Sequence, residues 1–307
     1  MKISTNYMFD RATTRMSDVQ QRLTTAQAKM STGKEVIAPS DAPEQASAIQ
    51  RLRDAVTRQE SHLTTLNSAS RRFDAEETAL TSAADVLARM KELSLSAANA
   101  TKNAQAHDAI GAEMRSLRDE LISLANTRDD NGNYIFSGAR VTTQPYVTED
   151  GKVVFRGDQT QTRIPAGVER DVVYTRSGSD VFVRVVRDNG DGTESSVSFF
   201  DGLDDMITAV EAGDIAGIQR SIEDVDQMID GVALGVAQVG ADQGVVISQT
   251  DVIESEVLRL KTSLSEIEDL DYTEASTQMT KDTMALQAAQ ASFAKISQLS
   301  LFDYIGR

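Results

Sequence analysis

At 307 residues the chain can hold one large domain or two ordinary ones, and without cysteine it has neither a disulfide framework nor a thiolate metal site. A formal net charge of −16 argues against nucleic acid and anionic membranes as partners. No unbroken apolar run reaches the roughly 18–20 residues of a membrane span, and the opening MKISTNYMFDRATT lacks the apolar stretch of a cleavable secretory signal, so export would need another route.

The first predicted element is a helix within residues 1–35, where Met16, Val19, Leu23, Ala26 and Met30 recur alternately three and four positions apart. STGK at 31–34 lacks the preceding strand and the glycine spacing of a phosphate loop, so it is read as the helix exit through Gly33. In IAPSDAPEQ the turn of Pro39, Ser40, Asp41 and Pro43 leads into the next helix, with Asp41 as candidate N-cap and Glu44 three residues on. That helix is expected from about 44 to 98. Its frame reads Ile49, Leu52, Val56, Leu63, Leu66, Phe73, Leu80, Ala84 and Leu87, with Gln59, Ser70 and Glu77 also in frame. His62 falls beside this seam on the solvated face. His107 is expected in a turn, before a shorter helix from near Asp108 that carries Ile110, Met114, Leu117, Leu121 and Leu124.

Between about 134 and 200 the period changes. KVVFRG, RDVVYT, DVFVRVV and SVSFF are short, β-branched and aromatic-rich, and EDG, RSGSD and DNGDG separate them, which predicts strands joined by hairpin turns. DNGDG at 188–192 and DDNGN at 129–133 invite a calcium reading. In the first, however, Gly190 stands where a ligand is needed, and the second fails similarly, so both are read as turns.

The longest frame follows: Ile218, Ile222, Val225, Ile229, Val232, Val236, Val239, Gln243, Val246, Thr250, Ile253, Val257, Leu260, Leu264 and Ile267. Gly231, Gly235, Gly240 and Gly244 each cost a helix about 1 kcal/mol. The unbroken phase nevertheless predicts one helix over about 214–267, with the small residues allowing close approach of a neighbour. This helix and the one over 44–98 would each extend roughly 80 Å, and their matched seams are best buried against each other. In EDLDYTEA, Asp271 or Thr273 opens a last helix carrying Met279, Leu286, Ala289, Phe293 and Ile296. The chain closes on LSLFDYIGR, which adds Leu299, Leu301 and Phe302.

The expected fold is mainly α with a β insert: a long antiparallel helical bundle or coiled coil built from both chain halves, plus a small antiparallel β domain. Residues 1–40 and 270–307 form terminal coiled-coil segments, 41–135 and 203–269 the long-helix bundle, and 136–202 the β-rich insert. Two histidines and no cysteine nearly exclude a zinc site or a Cys/His nucleophile pair, so no catalytic, metal or cofactor residues are expected and the protein is not read as an enzyme. The ends carry little net charge: residues 1–40 hold six Lys/Arg against three Asp/Glu, and 273–307 hold three of each, leaving −19 on 41–272. Each end is marginal as a lone helix, and a two-helix pair would leave apolar surface open, which marks an interaction site. The assembly residues are therefore Met16, Val19, Leu23, Ala26 and Met30 at one end. At the other they are Met279, Leu286, Ala289, Phe293, Ile296, Leu299, Leu301 and Phe302, with Pro39, Ser40, Asp41 and Pro43 turning the terminal segment into the bundle.

Three stretches in order carry a resemblance: STGKEVIAPSDAPEQASAI, IGAEMRSLRDELISLANTRDDNGNYIFSG and DYTEASTQMTKDTMALQAAQASFAKISQLSLFDYI. Together they resemble the flagellin family over roughly 1–140 and 200–307, with the β insert as the variable part. Within the family, the turn of Pro39, Ser40, Asp41 and Pro43, together with the ending SLFDYI, Gly306 and Arg307, favours the adaptors that join hook and filament. The resemblance implies a secreted structural protein of the extracellular bacterial flagellum, exported unfolded by its type III apparatus. Its termini would be disordered in the free monomer and fold as a coiled coil on assembly. Implied partners are further copies of itself in a ring or helical array, the first hook-associated protein, flagellin and an export chaperone at the C-terminus. A filament subunit, or a self-contained coiled-coil scaffold, are the alternatives.

Overall fold

The computed structural model describes residues 2–99, 103–166, 171–188 and 193–305, except for the side chains of 2–6, 8 and 296–305. The described residues form seven helices and six strands in the order α1 (Lys2–Thr32), α2 (Pro43–Ala97), α3 (Ala104–Ala125), β1 (Tyr146–Glu149), β2 (Lys152–Phe155), β3 (Arg163–Pro165), β4 (Asp171–Val173), α4 (Gly178–Val181), β5 (Val185–Asp188), β6 (Glu194–Val197), α5 (Phe199–Ala212), α6 (Ile215–Glu268) and α7 (Tyr272–Ile305). The chain forms two compact units: residues 1–61 with 255–307, and residues 62–254. Both long helices contribute to both units.

In each unit α2 and α6 run antiparallel. Lys261 pairs with Glu60 and Arg53 with Glu268 in the first, and Gln243 donates to Asp74 and Lys91 pairs with Asp226 in the second. In the second unit the buried positions of α2 include the row Leu66, Ala69, Phe73, Glu76, Leu80, Ala83, Leu87, Met90, Ser94 and Ala97. This is a 3-4 seam, but one comb of it differs from the predicted frame, since Ala69 and Glu76 are inside where Ser70 and Glu77 were placed. On α6 likewise, Ser221, Met228 and Gly235 are buried where Ile222, Ile229 and Val236 were expected. Two glycines let a neighbour come close to α6. A Cβ on Gly235 would lie 3.3–3.5 Å from Val181 and Leu80, and one on Gly231 would lie 2.7 Å from Val183, so these glycines admit the end of α4 and the residues just after it. No atom comes within 4 Å of such a Cβ at Gly240 or Gly244.

The β insert is three separate antiparallel hairpins, β1–β2, β3–β4 and β5–β6, rather than one sheet. Its side chains collect around an aromatic cluster in a chain with few aromatics. Phe182 meets Phe136, Tyr146 and Phe199 edge-on with ring centroids 5.2–5.6 Å apart, and Tyr146 packs on Phe200 at 5.1 Å. Phe199 and Phe200, predicted as the end of a strand, instead open α5. Ser198 caps that helix by accepting from the Asp201 amide, and the helix exits through Gly213 with φ +64°. Val181, predicted within a strand, ends α4, and β5 begins only at Val185. His107, predicted in a turn, lies buried in the first turn of α3, whose N-cap is Asn103. Residues 189–192 of the DNGDG stretch lie outside the described residues. In DDNGN, Asp129 Oδ1 accepts from the amides of Asn131 and Asn133 at 2.9 Å, closing a tight turn.

The other oxygen of Asp129 leads to the least expected part of the core, a buried charged layer. Arg72 donates to Asp129 Oδ2 at 3.1 Å and to the carbonyls of Tyr174 and Ile135 at 2.8 and 2.9 Å. Arg176 donates to Gln238 and Asp242 at 3.0 and 2.9 Å. Between the two guanidiniums sits Glu76, with one carboxylate oxygen 3.5 Å from each Nε and its side chain 1% exposed. Burial pushes this carboxyl up to about 7, and Asp242 adds to the rise, against the pull of Arg72 and Arg176. The ordinary carboxylate range lies near 4.5, so the folded unit binds a proton more tightly than the unfolded chain. Stability from this group is therefore complete below about 4.5 and is lost as pH rises through about 7. Each tenfold difference in proton affinity between the folded and unfolded chain is worth roughly 1.4 kcal/mol, so wild type should lose on the order of 3 kcal/mol relative to Glu76→Gln between about pH 4.5 and 8. Urea unfolding of both proteins across that range checks it, and parallel pH profiles would refute it.

By length and composition α6 is, among the described residues, a helix able to cross a membrane, with an 18-residue window of mean hydropathy 1.2. Single polar residues interrupt the stretch, so it holds no unbroken apolar run of that length. Three of its carboxylates are partnered within the fold: Asp224 by Arg187, Asp226 by Lys91 and Asp242 by Arg176.

Candidate functional site

In the first unit, α1 and α7 pair antiparallel. Phe9 meets Phe293 edge-on at 5.3 Å, Arg22 lies 3.4 Å from Asp282, and Tyr272 Oη donates to the Met30 carbonyl at 3.3 Å. The pairing holds one register along its length because both helices carry a 3-4 seam. On α1 this is Phe9, Ala12, Met16, Val19, Leu23, Ala26 and Met30. On α7 it is Ala275, Met279, Asp282, Leu286, Ala289 and Phe293. The structure thus brings together the expected Met16, Val19, Leu23, Ala26 and Met30 with Met279, Leu286, Ala289 and Phe293. The side chains of Ile296, Leu299, Leu301 and Phe302 lie outside the described residues.

Among the described residues, every apolar residue of both seams is only half-buried, and Asp282 alone is buried. Two helices close each seam from one side, and the other side stays open to water. One groove of about 680 Å³ along the pair is lined by residues including Arg22, Ala26, Gln278 and Asp282. A second, of about 340 Å³, is lined by Met16, Gln20, Leu286 and Phe293 among others. Tyr7 and Met284 are 65% and 60% exposed. Such a surface offers a further helix both apolar seam and room to enter.

The connections at the base of the pair are tied together. The Leu270 amide donates to the Gly33 carbonyl and the Glu35 amide donates to the Glu268 carbonyl, so that Lys34 and Asp269 face each other in a backbone β-bridge. Glu268, buried at this point, takes Arg53 and Lys34 at 2.5 Å each, and the Arg53 hydrogen bond chiefly holds its carboxyl below the usual range. Gly33, at φ +69°, ends α1 as expected. Pro39, Ser40 and Asp41 lie exposed in the turn that follows, and Pro43, also exposed, opens α2. Asp41 is not the N-cap of α2: its Oδ2 accepts from the Ala38 amide, bracing the turn, and the helix starts two residues later at Pro43. Asp271 does cap α7, since its Oδ1 accepts from the amides of Thr273 and Glu274.

Sequence reasoning missed Asp282, Arg53, Lys34 and Glu268 because it followed apolar residues only. The signal was present for Asp282, which stands in phase between Met279 and Leu286.

Models of two protein regions match the chain: the bacterial flagellin N-terminal helical region over residues 3–140, and the bacterial flagellin C-terminal helical region over 222–305. Flagellar hook-associated protein 3 of Escherichia coli is 26% identical over 317 aligned positions, covering 99% of each chain. Flagellin A of Vibrio anguillarum is 24% identical, covering 73% of this chain and 77% of that one. The crystal structure of Xanthomonas campestris FlgL superposes with a TM-score of 0.62 at 22% identity, over 71% of this chain and 99% of that one.

Proposed function

Because the chain belongs to the flagellin family, we propose that it is a structural adaptor of the bacterial flagellum. It joins the hook, through the first hook-associated protein, to the flagellin filament. The observation that carries this reading is the α1–α7 pair, whose apolar seam residues all remain half-buried and wait for neighbours. The end-to-end match to a hook-associated protein 3, against about three quarters of a filament flagellin, favours the adaptor over a filament subunit.

In this reading the parts have separate tasks. Residues 1–40 and 270–307 assemble, 41–135 with 203–269 form the supporting bundle, and 136–202 form the β-rich insert. The termini are disordered in the free chain and gain their structure from burial between copies, which offsets the ordering entropy at the moment of assembly. The chain leaves the cell through the flagellar type III apparatus, with a chaperone holding its C-terminus beforehand.

One observation favours a second reading, a self-contained scaffold: α1 and α7 already meet within a single chain, Phe9 against Phe293. That reading needs ends that hold without neighbours, and half-closed seams supply little for it. The adaptor reading is tested by adding the purified chain to hook-protein polymers capped with the first hook-associated protein, then adding flagellin. Saturable binding that lets flagellin extend is expected. Unlimited growth of the chain from seeds would make it a filament subunit, and no binding at all would favour the scaffold.

A further inference from the structure

The 3-4 seams keep α1 and α7 in step, but they do not choose the step. Phe9, Met16, Leu23 and Met30 stand seven residues apart on α1, and Met279, Leu286 and Phe293 do so on α7. Sliding one helix by seven residues, about 10 Å, therefore sets apolar against apolar again. The buried Asp282 does not discriminate either. Its partner Arg22 has Arg15 and Lys29 seven residues to either side, so each slide offers the carboxylate a cation. Two contacts are peculiar to the observed alignment, Phe9 on Phe293 and Tyr272 on the Met30 carbonyl. A slide that sets Phe293 on Met16 replaces the first of them by a sulfur–aromatic contact.

The alignment is fixed instead where the two helices meet the rest of their unit. The Leu270 amide lies 3.0 Å from the Gly33 carbonyl and the Glu35 amide 2.8 Å from the Glu268 carbonyl. Gly33 is the first residue past α1, and Leu270 stands two before α7. Links this short, at about 3.5 Å per extended residue, have no slack for such a slide. Glu268, the last residue of α6, anchors the bridge. Its side chain is 8% exposed and takes Lys34 at 2.5 Å. It also accepts from Arg53 of α2 through both oxygens, at 2.5 and 3.2 Å. One carboxylate thus binds the exit of α1 to both long helices.

We propose that Glu268, with Arg53 and Lys34, is a positioning residue that selects the alignment of α1 on α7. Pairing starts at this clamp, where the loop to be closed is shortest, and runs outward from Met30 and Tyr272. The device goes beyond the adaptor reading and acts in the chain with or without neighbours.

The chain has no cysteine, so a disulfide can report the alignment. Leu286→Cys is combined with Met16→Cys for the observed alignment, and with Phe9→Cys or Leu23→Cys for the two slides. Each is oxidised in dilute solution and again on capped hook polymers, and intramolecular disulfides are measured by mass spectrometry. With the clamp intact, the Met16→Cys combination should exceed each slid one by roughly tenfold or more, the margin of a dominant state over a minor one. With Glu268→Lys, and separately with Lys34→Ala plus Arg53→Ala, the three yields should become comparable, while the 62–254 unit keeps its urea midpoint. An unchanged preference in both clamp variants would overturn the proposal, because the seam would then choose its own alignment. Comparable yields with the clamp intact, or no disulfide from any combination, would overturn it as well. Should the polymers fail to bind the chain, the adaptor reading falls and the dilute arm alone decides the clamp.

Discussion

Replacing Arg176 by Met should destabilise the 62–254 unit by about 3–5 kcal/mol near neutral pH, the usual consequence of removing one partner from a buried ion pair. Arg176 is buried, with its side chain 5% exposed, and faces two carboxylates, Glu76 and Asp242. Without it, Glu76 keeps only Arg72, which is also committed to Asp129. Gln238 loses its donor as well. The variant should recover part of its loss in acid, where Glu76 takes up a proton, and part on addition of Glu76→Gln. The two substitutions should therefore be non-additive by more than the roughly 0.5 kcal/mol typical of independent sites. Urea unfolding of the two single variants and the double variant measures this. Strict additivity would mean that Arg176 acts through its own packing and not through the layer.

The second large effect concerns assembly rather than folding. Leu286→Asp with Phe293→Asp places two charges in the half-open α7 seam, one of them against Phe9. Incorporation at the hook end should be abolished, because each buried carboxylate would cost several kcal/mol without a partner. The 62–254 unit should unfold at the wild-type denaturant midpoint, since neither residue belongs to it. Co-sedimentation with capped hook polymers, read beside the unfolding curve, separates the outcomes. Normal incorporation would show that the α7 seam is not the assembly surface.

Much of this architecture is legible in residue spacing. The expected helices over 44–98 and 214–267 are found at 43–97 and 215–268 because heptad phase and helix-breaking ends are local properties. What escaped depends on residues distant in sequence. Glu76 reads as a surface residue until Arg72 and Arg176 surround it, so the buried comb passes through Glu76 and not Glu77. Phe199 and Phe200 look like strand residues, but the Ser198 cap and the aromatic cluster draw them into a helix. At the α1–α7 pair the seam residues were legible and their degree of burial was not. A 3-4 pattern states which face is apolar, not how many neighbours cover it. Asp282 and Glu268 show the same limit, as charged residues placed inside by the arginines and lysine that reach them.

Neighbouring molecules alone complete the terminal pair in this reading, and limited proteolysis of the full chain, read by mass spectrometry, alone and after binding to capped hook polymers, checks it. Rapid loss of about 35 residues from each end of the free chain is expected, with the 62–254 unit intact, and protection of both ends once bound. Ends that resist protease in the free chain as well as the unit does would contradict it, and would make α1 and α7 a closed pair that needs no partner.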